Sequence, residues 1–330
     1  MKKVLCFALY IILLFFSFPI FAKQKILIIE SYHSQHSWDQ SYIEGIKSVL
    51  NDDFELIYFQ INGKRIAKYQ YQQQANLAWE FFEEKQPDLV ILGDDIALLH
   101  LGERLNQTQT PVIYLGINNN PRNYNIYPSD NICGVLERPL IKRAIPTIAQ
   151  VLAKKVNRVL LLFDNSTTSH VILNEVFANS TKIKVSSIEV EIKLIGNWEI
   201  WQEEINNADE NNYDALFIGT YHTLTNDKGE HISEDTIINW SVNHTPIPPF
   251  AFWDFSVGED KAIGGLVLVG FEQGKIAAEM AKEVLTTDKK MSLLRPRTAQ
   301  RGQYIFSRHG LQKYGITLPE DIAAKATLID

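Results

Sequence analysis

"KILIIESYHSQHSWDQSYIEGI", Lys25 to Ile46, carries the two signals that decide the fold. Ile26 to Ile29 form a short unbroken apolar run, the mark of a strand buried on both faces of a parallel sheet. Trp38, Tyr42, Ile46 and, just beyond, Val49 recur every three or four residues, the spacing of a helix with one apolar face. A polar loop rich in His, Tyr and Ser joins the two. The same alternation runs on down the chain. Further strands are expected at Leu56–Ile61, Leu89–Leu92, Val112–Leu115, Val159–Phe163, Ala215–Ile218 and Phe250–Trp253, after a first strand at Lys25–Glu30. Tyr71, Ala75, Ala78 and Phe82 mark a second helix. Strand, helix, strand, helix predicts an α/β protein with parallel sheets covered on both faces.

Repeating units lie both before Cys133 and after Lys154, and two sheets of about 120–150 residues each fit ordinary domain size. A single continuous sheet and a closed eightfold barrel remain open on the pattern alone. The expected seam is the turn-rich "GINNNPRNYNIYPSDNICGV", Gly116 to Val135, with a second passage near "HTPIPPFAFWDF", His244 to Phe255.

The chain opens on Lys2 and Lys3, then an apolar run from Val4 to Phe21 and a small Ala22. A basic head, an apolar middle and a small residue describe a signal peptide over residues 1–22 and a periplasmic destination. An uncleaved anchor is the alternative, because Ile20 is an imperfect residue ahead of the cleavage point. Cys6 precedes the apolar run and does not fit a lipid-attachment site. Removing residues 1–22 takes two lysines and no acid, so 32 basic residues become 30 against 39 acidic, a net charge of −9. That balance argues against nucleic acid or an anionic membrane surface as partner. Cys133 is then the sole cysteine, so no internal disulfide holds an exported chain whose core must suffice.

Ligands of open parallel sheets bind beyond the carboxyl ends of the strands. The residues there are Ser31-Tyr32-His33, Asp94-Asp95 and Asn118-Asn119 in the first half. In the second they are Asp164 to Ser169, including Ser166 and Thr167, then Thr220-Tyr221 and Trp253-Asp254. Hydroxyls, amides, carboxylates and aromatic rings together can orient a small polar molecule; any one of these loops alone also fits turn and capping chemistry. The candidate ligand contacts are therefore Tyr32, His33, Asp94, Asn118, Ser166, Thr167, Ser169, Thr220, Tyr221, Trp253 and Asp254. Trp38 fits the core as well as a ligand wall.

His33 and His36 could share a metal with Asp94 or Asp95. Their spacing falls in a loop with no further histidine cluster, and no metal is expected. A Gly-x-Ser-x-Gly elbow and phosphate-cradling glycine loops are absent, Cys133 has no local signature, and Asp94–Asp95 reads more readily as helix capping than as an acid–base pair. Neither an enzyme nor a cofactor is expected.

Six stretches occur in a telling order: "ILIIESYHSQHSWDQSYIEGI", "QPDLVILGDDIALLHLG", "PVIYLGINNNP", "NICGVLER", "GGLVLVGFEQGKIAAEMAKEVL" and "LQKYGITLPEDIAAKATLID". Together they resemble the exported substrate-binding proteins of ABC transporters, in the family that includes tryptophan/tyrosine binders and the extracytoplasmic sensing domains of some histidine kinases. The resemblance implies a type I periplasmic-binding-protein fold, two Rossmann-like lobes joined by a hinge with ligand trapped between them. Lobe 1 would hold residues 23–136 plus about 254–285, and lobe 2 residues 137–253 plus about 286–330. Tyr32 and Asp94 would face the cleft from one side, and Ser166, Thr167, Ser169, Thr220 or Tyr221, Trp253 and Asp254 from the other. The chain departs from the amino-acid-binding members at Asp164–His170, where Thr-Thr-Ser-His stands. The function implied is capture of a small polar or aromatic, amino-acid-like molecule by a monomer that delivers it to an ABC permease. The alternative is a sensor reporting to a separate membrane-bound kinase or cyclic-dinucleotide enzyme.

Overall fold

The computed structural model describes residues 23–50, 52–299 and 302–330; the expected signal peptide, residues 1–22, lies outside them. Among the described residues no helix is long and apolar enough to cross a membrane.

The opening run becomes β1 (Gln24–Glu30), with Ile26 to Ile29 at most 1% exposed. It is flanked by β2 (Phe54–Gln60) and β3 (Leu89–Gly93), and the sheet extends through β4 (Val112–Ile117) and β5 (Ile132–Leu136). A short strand from far down the chain, β12 (Arg297–Thr298), completes the order β12-β5-β4-β3-β1-β2, and every pairing is parallel. The helices between them are α1 (Ser37–Val49), α2 (Tyr71–Lys85) and α3 (Asp94–Asn106). Trp38, Tyr42 and Ile46 of α1 are buried, as are Ala75, Ala78 and Phe82 of α2, so both expected helical stripes face the core.

A second sheet has the order β10-β9-β6-β8-β7. Its strands are β6 (Arg158–Asp164), β7 (Lys182–Val185), β8 (Ile188–Ile195), β9 (Ala215–Ile218) and β10 (Pro249–Ala251). Only β7 runs antiparallel to its neighbour. The helices of this half are α4 (Ile141–Val151), α5 (Thr167–Phe177), α6 (Trp198–Asn206) and α7 (Glu234–His244). A three-stranded sheet of β11 (Gly264–Val267), β13 (Gln303–Ser307) and β14 (Ala326–Ile329) lies beside β10. Ile263 N donates to Pro249 O at 2.9 Å and Leu268 N to Phe252 O at 2.8 Å. Gly264 lets β11 pair closely with β13: its φ is +124, and a Cβ there would stand 2.0 Å from Ile305 O.

Two separate sheets replace the single-sheet and barrel alternatives. The chain passes from the first sheet to the second half between Leu136 and Ile141, where α4 packs against β11. It returns between Val267 and Gly270, the start of α8 (Gly270–Thr286), which packs against α1. It crosses again between Thr298 and Gln303. The α1–α8 contact is backbone to backbone: a Cβ on Gly274 would meet Tyr42 O at 1.8 Å, and one on Gly45 would meet Phe271 O at 2.0 Å.

The expected boundaries shift accordingly. The stretch Gly116–Val135 is no seam, because β5 still belongs to the first sheet and the crossing follows it. The second passage comes after Val267, later than the expected one near His244–Phe255. Residues 254–267 lie against the second sheet through β11, and Arg297–Thr298 pair with β5 of the first. These connections escaped because β11, β12 and β14 are at most four residues long and carry no periodic pattern.

Candidate functional site

The carboxyl ends of β1, β3 and β4 meet those of β6 and β9 across a gap, and the chemistry of the chain collects there. Ser31 fixes the first loop. Its hydroxyl donates to Gly93 O at 2.5 Å and accepts from Ala97 N at 2.9 Å, tying the end of β1 to β3 and α3. Tyr32 follows, 4% exposed, with the Lys64 ammonium 4.2 Å above its ring.

The Asp94–Asp95 pair divides its work. Asp95 accepts from Asn118 N at 3.0 Å, Asn119 N at 3.3 Å and the Tyr124 hydroxyl at 2.6 Å, so it latches the loop after β4. Asp94 accepts from Asp95 N at 2.7 Å through Oδ1 and lines the gap with the rest of its carboxyl. Its φ of +72 is in the left-handed region, which Asp tolerates better than most residues but which is uncommon at a helix start. Burial, and next the charge of Asp95, pushes its carboxyl up to about 7. Glu137, just past β5, is likewise raised by burial and by Asp94, and it accepts from Trp253 Nε1 at 2.7 Å. Lys64 is lowered by burial, with Asp94 the main charge opposing that shift.

On the other side Asp164, at the end of β6, organises the loops. It accepts from the Ser169 hydroxyl at 2.7 Å, the Thr220 hydroxyl at 2.8 Å and Thr223 N at 3.1 Å. Ser166 caps α5, accepting from Ser169 N at 3.3 Å. The amino end of α5 therefore points its backbone dipole at the gap.

Two cavities occupy the gap. The larger, about 500 Å³, is lined by Tyr32, Lys64, Tyr71 and Tyr124 from the first half and by Ser166, Thr167, Thr168 and Thr223 from the second. The smaller, about 30 Å³, lies among Tyr32, His36, Trp38, Lys64, Asp94, Asn118, Glu137, Thr168, Thr220, Trp253 and Phe255. Trp38 Nε1, buried on its rim, has no hydrogen-bond partner.

Seven of the eleven candidate residues line these cavities: Tyr32, Ser166 and Thr167 the larger, and Tyr32, Asp94, Asn118, Thr220 and Trp253 the smaller. The other four line neither. His33 meets His36 edge-on at 5.7 Å. Ser169 spends its hydroxyl on Asp164 and Thr220. Tyr221 stacks on His222 at 4.4 Å and accepts from the Ser256 hydroxyl at 3.4 Å. Asp254 starts a single 3₁₀ turn and accepts from Phe255 N at 2.9 Å. Lys64, Tyr71, Tyr124, Glu137, Thr168 and Phe255 were missed as pocket residues. Thr168 lies inside a loop already singled out, "VLER" places Glu137 directly after a strand, and Lys64 stands three residues past the expected strand Leu56–Ile61, but Tyr71 carries no strand-end signal.

A cleft between two parallel-sheet lobes, crossed three times by the chain, defines a type I periplasmic-binding-like protein. The family profile for ABC transporter substrate binding protein matches residues 45–329, and the chain belongs to that family. No curated protein matches it. Among solved structures it is similar to an ABC domain in complex with L-Trp from Streptococcus pneumoniae (18% identity, 94% of this chain and 100% of that one covered, TM-score 0.66). It is also similar to a conserved domain protein from Vibrio cholerae O1 biovar El Tor (16%, 94% and 100%, TM-score 0.68). A third likeness is the ligand-free, open structure of a substrate-binding protein with adhesive properties from Clostridium difficile (14%, 93% and 100%, TM-score 0.63).

Proposed function

We propose that this protein captures a small amino-acid-like solute between its lobes and delivers it to an ABC permease, without catalysing a reaction. The observation that carries the reading is the double lining of the gap. Asp94, a carboxyl poised near neutrality, stands on one lobe, and the amino end of α5 with Thr167 and Thr168 stands on the other. A protonated amine would draw the proton off Asp94 and pair with it, and a carboxylate would be held by backbone dipoles without needing a buried cation. Tyr32, Trp38, Trp253 and Phe255 supply an aromatic wall for an apolar body. The cavity of about 500 Å³ has room for such a molecule. Asp94 and the aromatic wall line the adjoining space of about 30 Å³, which shares Tyr32, Lys64 and Thr168 with the larger one and which the solute would have to widen. A solute touching both lobes favours their contact by its differential affinity alone. Residues 1–22 would export the chain to the periplasm, where it would work as a monomer.

The test is mass spectrometry of whatever small molecule copurifies, followed by calorimetry of that molecule and of the common amino acids against the parent and Asp94→Asn proteins. An amine-bearing solute whose affinity falls at least about tenfold in the variant supports the reading. A solute without a basic nitrogen, or one that binds the variant equally, refutes it.

A further inference from the structure

The sequence offers His33 and His36 as a metal pair, with Asp94 or Asp95 as the third ligand. The folded chain offers a different set. His36, in the loop after β1, faces His222, in the loop after β9, with ring centroids 5.0 Å apart. His222 Nε2 stands 3.5 Å from Oε2 of Glu234, the first residue of α7. One ligand atom from each of His36, His222 and Glu234 lies within 4.8 Å of the other two. The two histidines are 1% and 4% exposed, and each has a ring Nδ1 with no hydrogen-bond partner. Asp39 Oδ1 is 3.8 Å from that of His36. The two imidazoles thus converge with a carboxylate, His222 through its Nε2, while each leaves its Nδ1 buried without a partner, an arrangement that is costly to bury.

We propose that His36, His222 and Glu234 form a divalent transition-metal site that bridges the two lobes. Two imidazoles and one carboxylate are the donor set of three-ligand zinc sites, which keep a fourth position for water or a solute group. Glu234, with its side chain 35% exposed, gives the ion a path in from solvent. Because His36 stands on one lobe and the other two ligands on the opposite one, only the form with the lobes in contact offers all three. An ion that binds this form and not the open one stabilises it by linkage. Lys64 opposes the ion. Its ammonium donates to His36 Nε2 at 2.9 Å, so it must swing away before the ion is seated. The site is thus tuned to be weaker than its donor set alone would make it.

The full mature chain, stripped with chelator and desalted, would be titrated with zinc alone against a chromophoric chelator, with no organic solute present. The site predicts one zinc per chain. Affinity should fall about tenfold or more in Glu234→Gln and in His222→Ala, and rise in Lys64→Met, which removes the competing charge. His170→Ala and His244→Ala, at exposed histidines, should bind as the parent does. Glu234→Gln changes the most exposed ligand and keeps the test meaningful if His222→Ala fails to fold. Unchanged affinity in Glu234→Gln, weaker binding in Lys64→Met, or loss of binding in the exposed-histidine variants would each overturn the site. The bridging rests on the two-lobed reading of the preceding section, and X-ray scattering with and without zinc tests it separately. Zinc should reduce the radius of gyration of the parent and leave Glu234→Gln unmoved, and a radius unchanged by bound zinc would overturn the bridge. Because no solute enters these measurements, failure of the amine-solute reading leaves their outcome untouched.

Discussion

Asp94→Asn should make the empty protein more stable while it damages solute binding. In the folded chain burial, and after it the charge of the neighbouring Asp95, pushes the Asp94 carboxyl from the ordinary aspartate value of 3.8 up to about 7. Such a displacement costs roughly 4 kcal/mol of folding free energy once the group is ionised in both states. The sign follows from which state holds the proton more tightly, here the native one. The group's contribution is most favourable below 3.8, declines as pH rises, and reaches its full penalty above about 7. Asparagine has nearly the same shape and does not ionise, so the gain of the variant over the parent should be small near pH 4 and grow to pH 8. The lobes touch in this structure, with His36 against His222, and a form that separates them wets Asp94. The gain at pH 8 should therefore lie between about 1 and 4 kcal/mol. Urea unfolding followed by tryptophan fluorescence at pH 4, 6 and 8, parent beside variant, reads this directly. Parallel curves at all three values, or a variant that loses ground as pH rises, would refute a carboxyl held near neutrality for a cation. Stability gained at the expense of binding is the expected signature of a site residue.

Other outcomes follow from particular contacts. Gly274→Ala should destabilise the first lobe by about 1–3 kcal/mol or more, because its Cβ would meet Tyr42 O at 1.8 Å and push α8 off α1; an unchanged urea midpoint would contradict that packing. Trp253→Phe keeps a ring but leaves Glu137 without its 2.7 Å donor, and should cost about 1–3 kcal/mol in the same assay. Equal stability of parent and variant would mean that this hydrogen bond contributes nothing. Scattering should register a smaller radius of gyration when the copurifying solute is restored to stripped protein, and an unmoved radius would argue against closure.

Much of the architecture was legible because parallel strands buried on both faces write unbroken apolar runs. Lys25–Glu30, Leu89–Leu92 and Ala215–Ile218 fall within one or two residues of β1, β3 and β9. The residues 188–195, IEVEIKLI, were passed over for the opposite reason. They alternate apolar and charged side chains, the signature of a half-buried strand, and a search for unbroken runs cannot see them. The pocket was partly legible. Strand-end loops named Tyr32, Asp94 and Thr220 because topology places those loops together. The same rule could not rank residues within a loop. Asp95 lines the larger cavity yet spends its carboxylate on Asn118, Asn119 and Tyr124, and Tyr221, beside the cavity residue Thr220, is spent on His222. Nor could it pair His36 with His222, since contacts between loops of different lobes leave no trace in local spacing.

The most direct test of the account is a crystal structure of the protein grown with the solute it retains on purification. The account predicts electron density in the gap, a basic nitrogen within hydrogen-bond reach of the Asp94 carboxylate, and contacts from the same molecule to Thr168 or Thr220. Density confined to one lobe, or a solute bound away from Asp94 altogether, would contradict it.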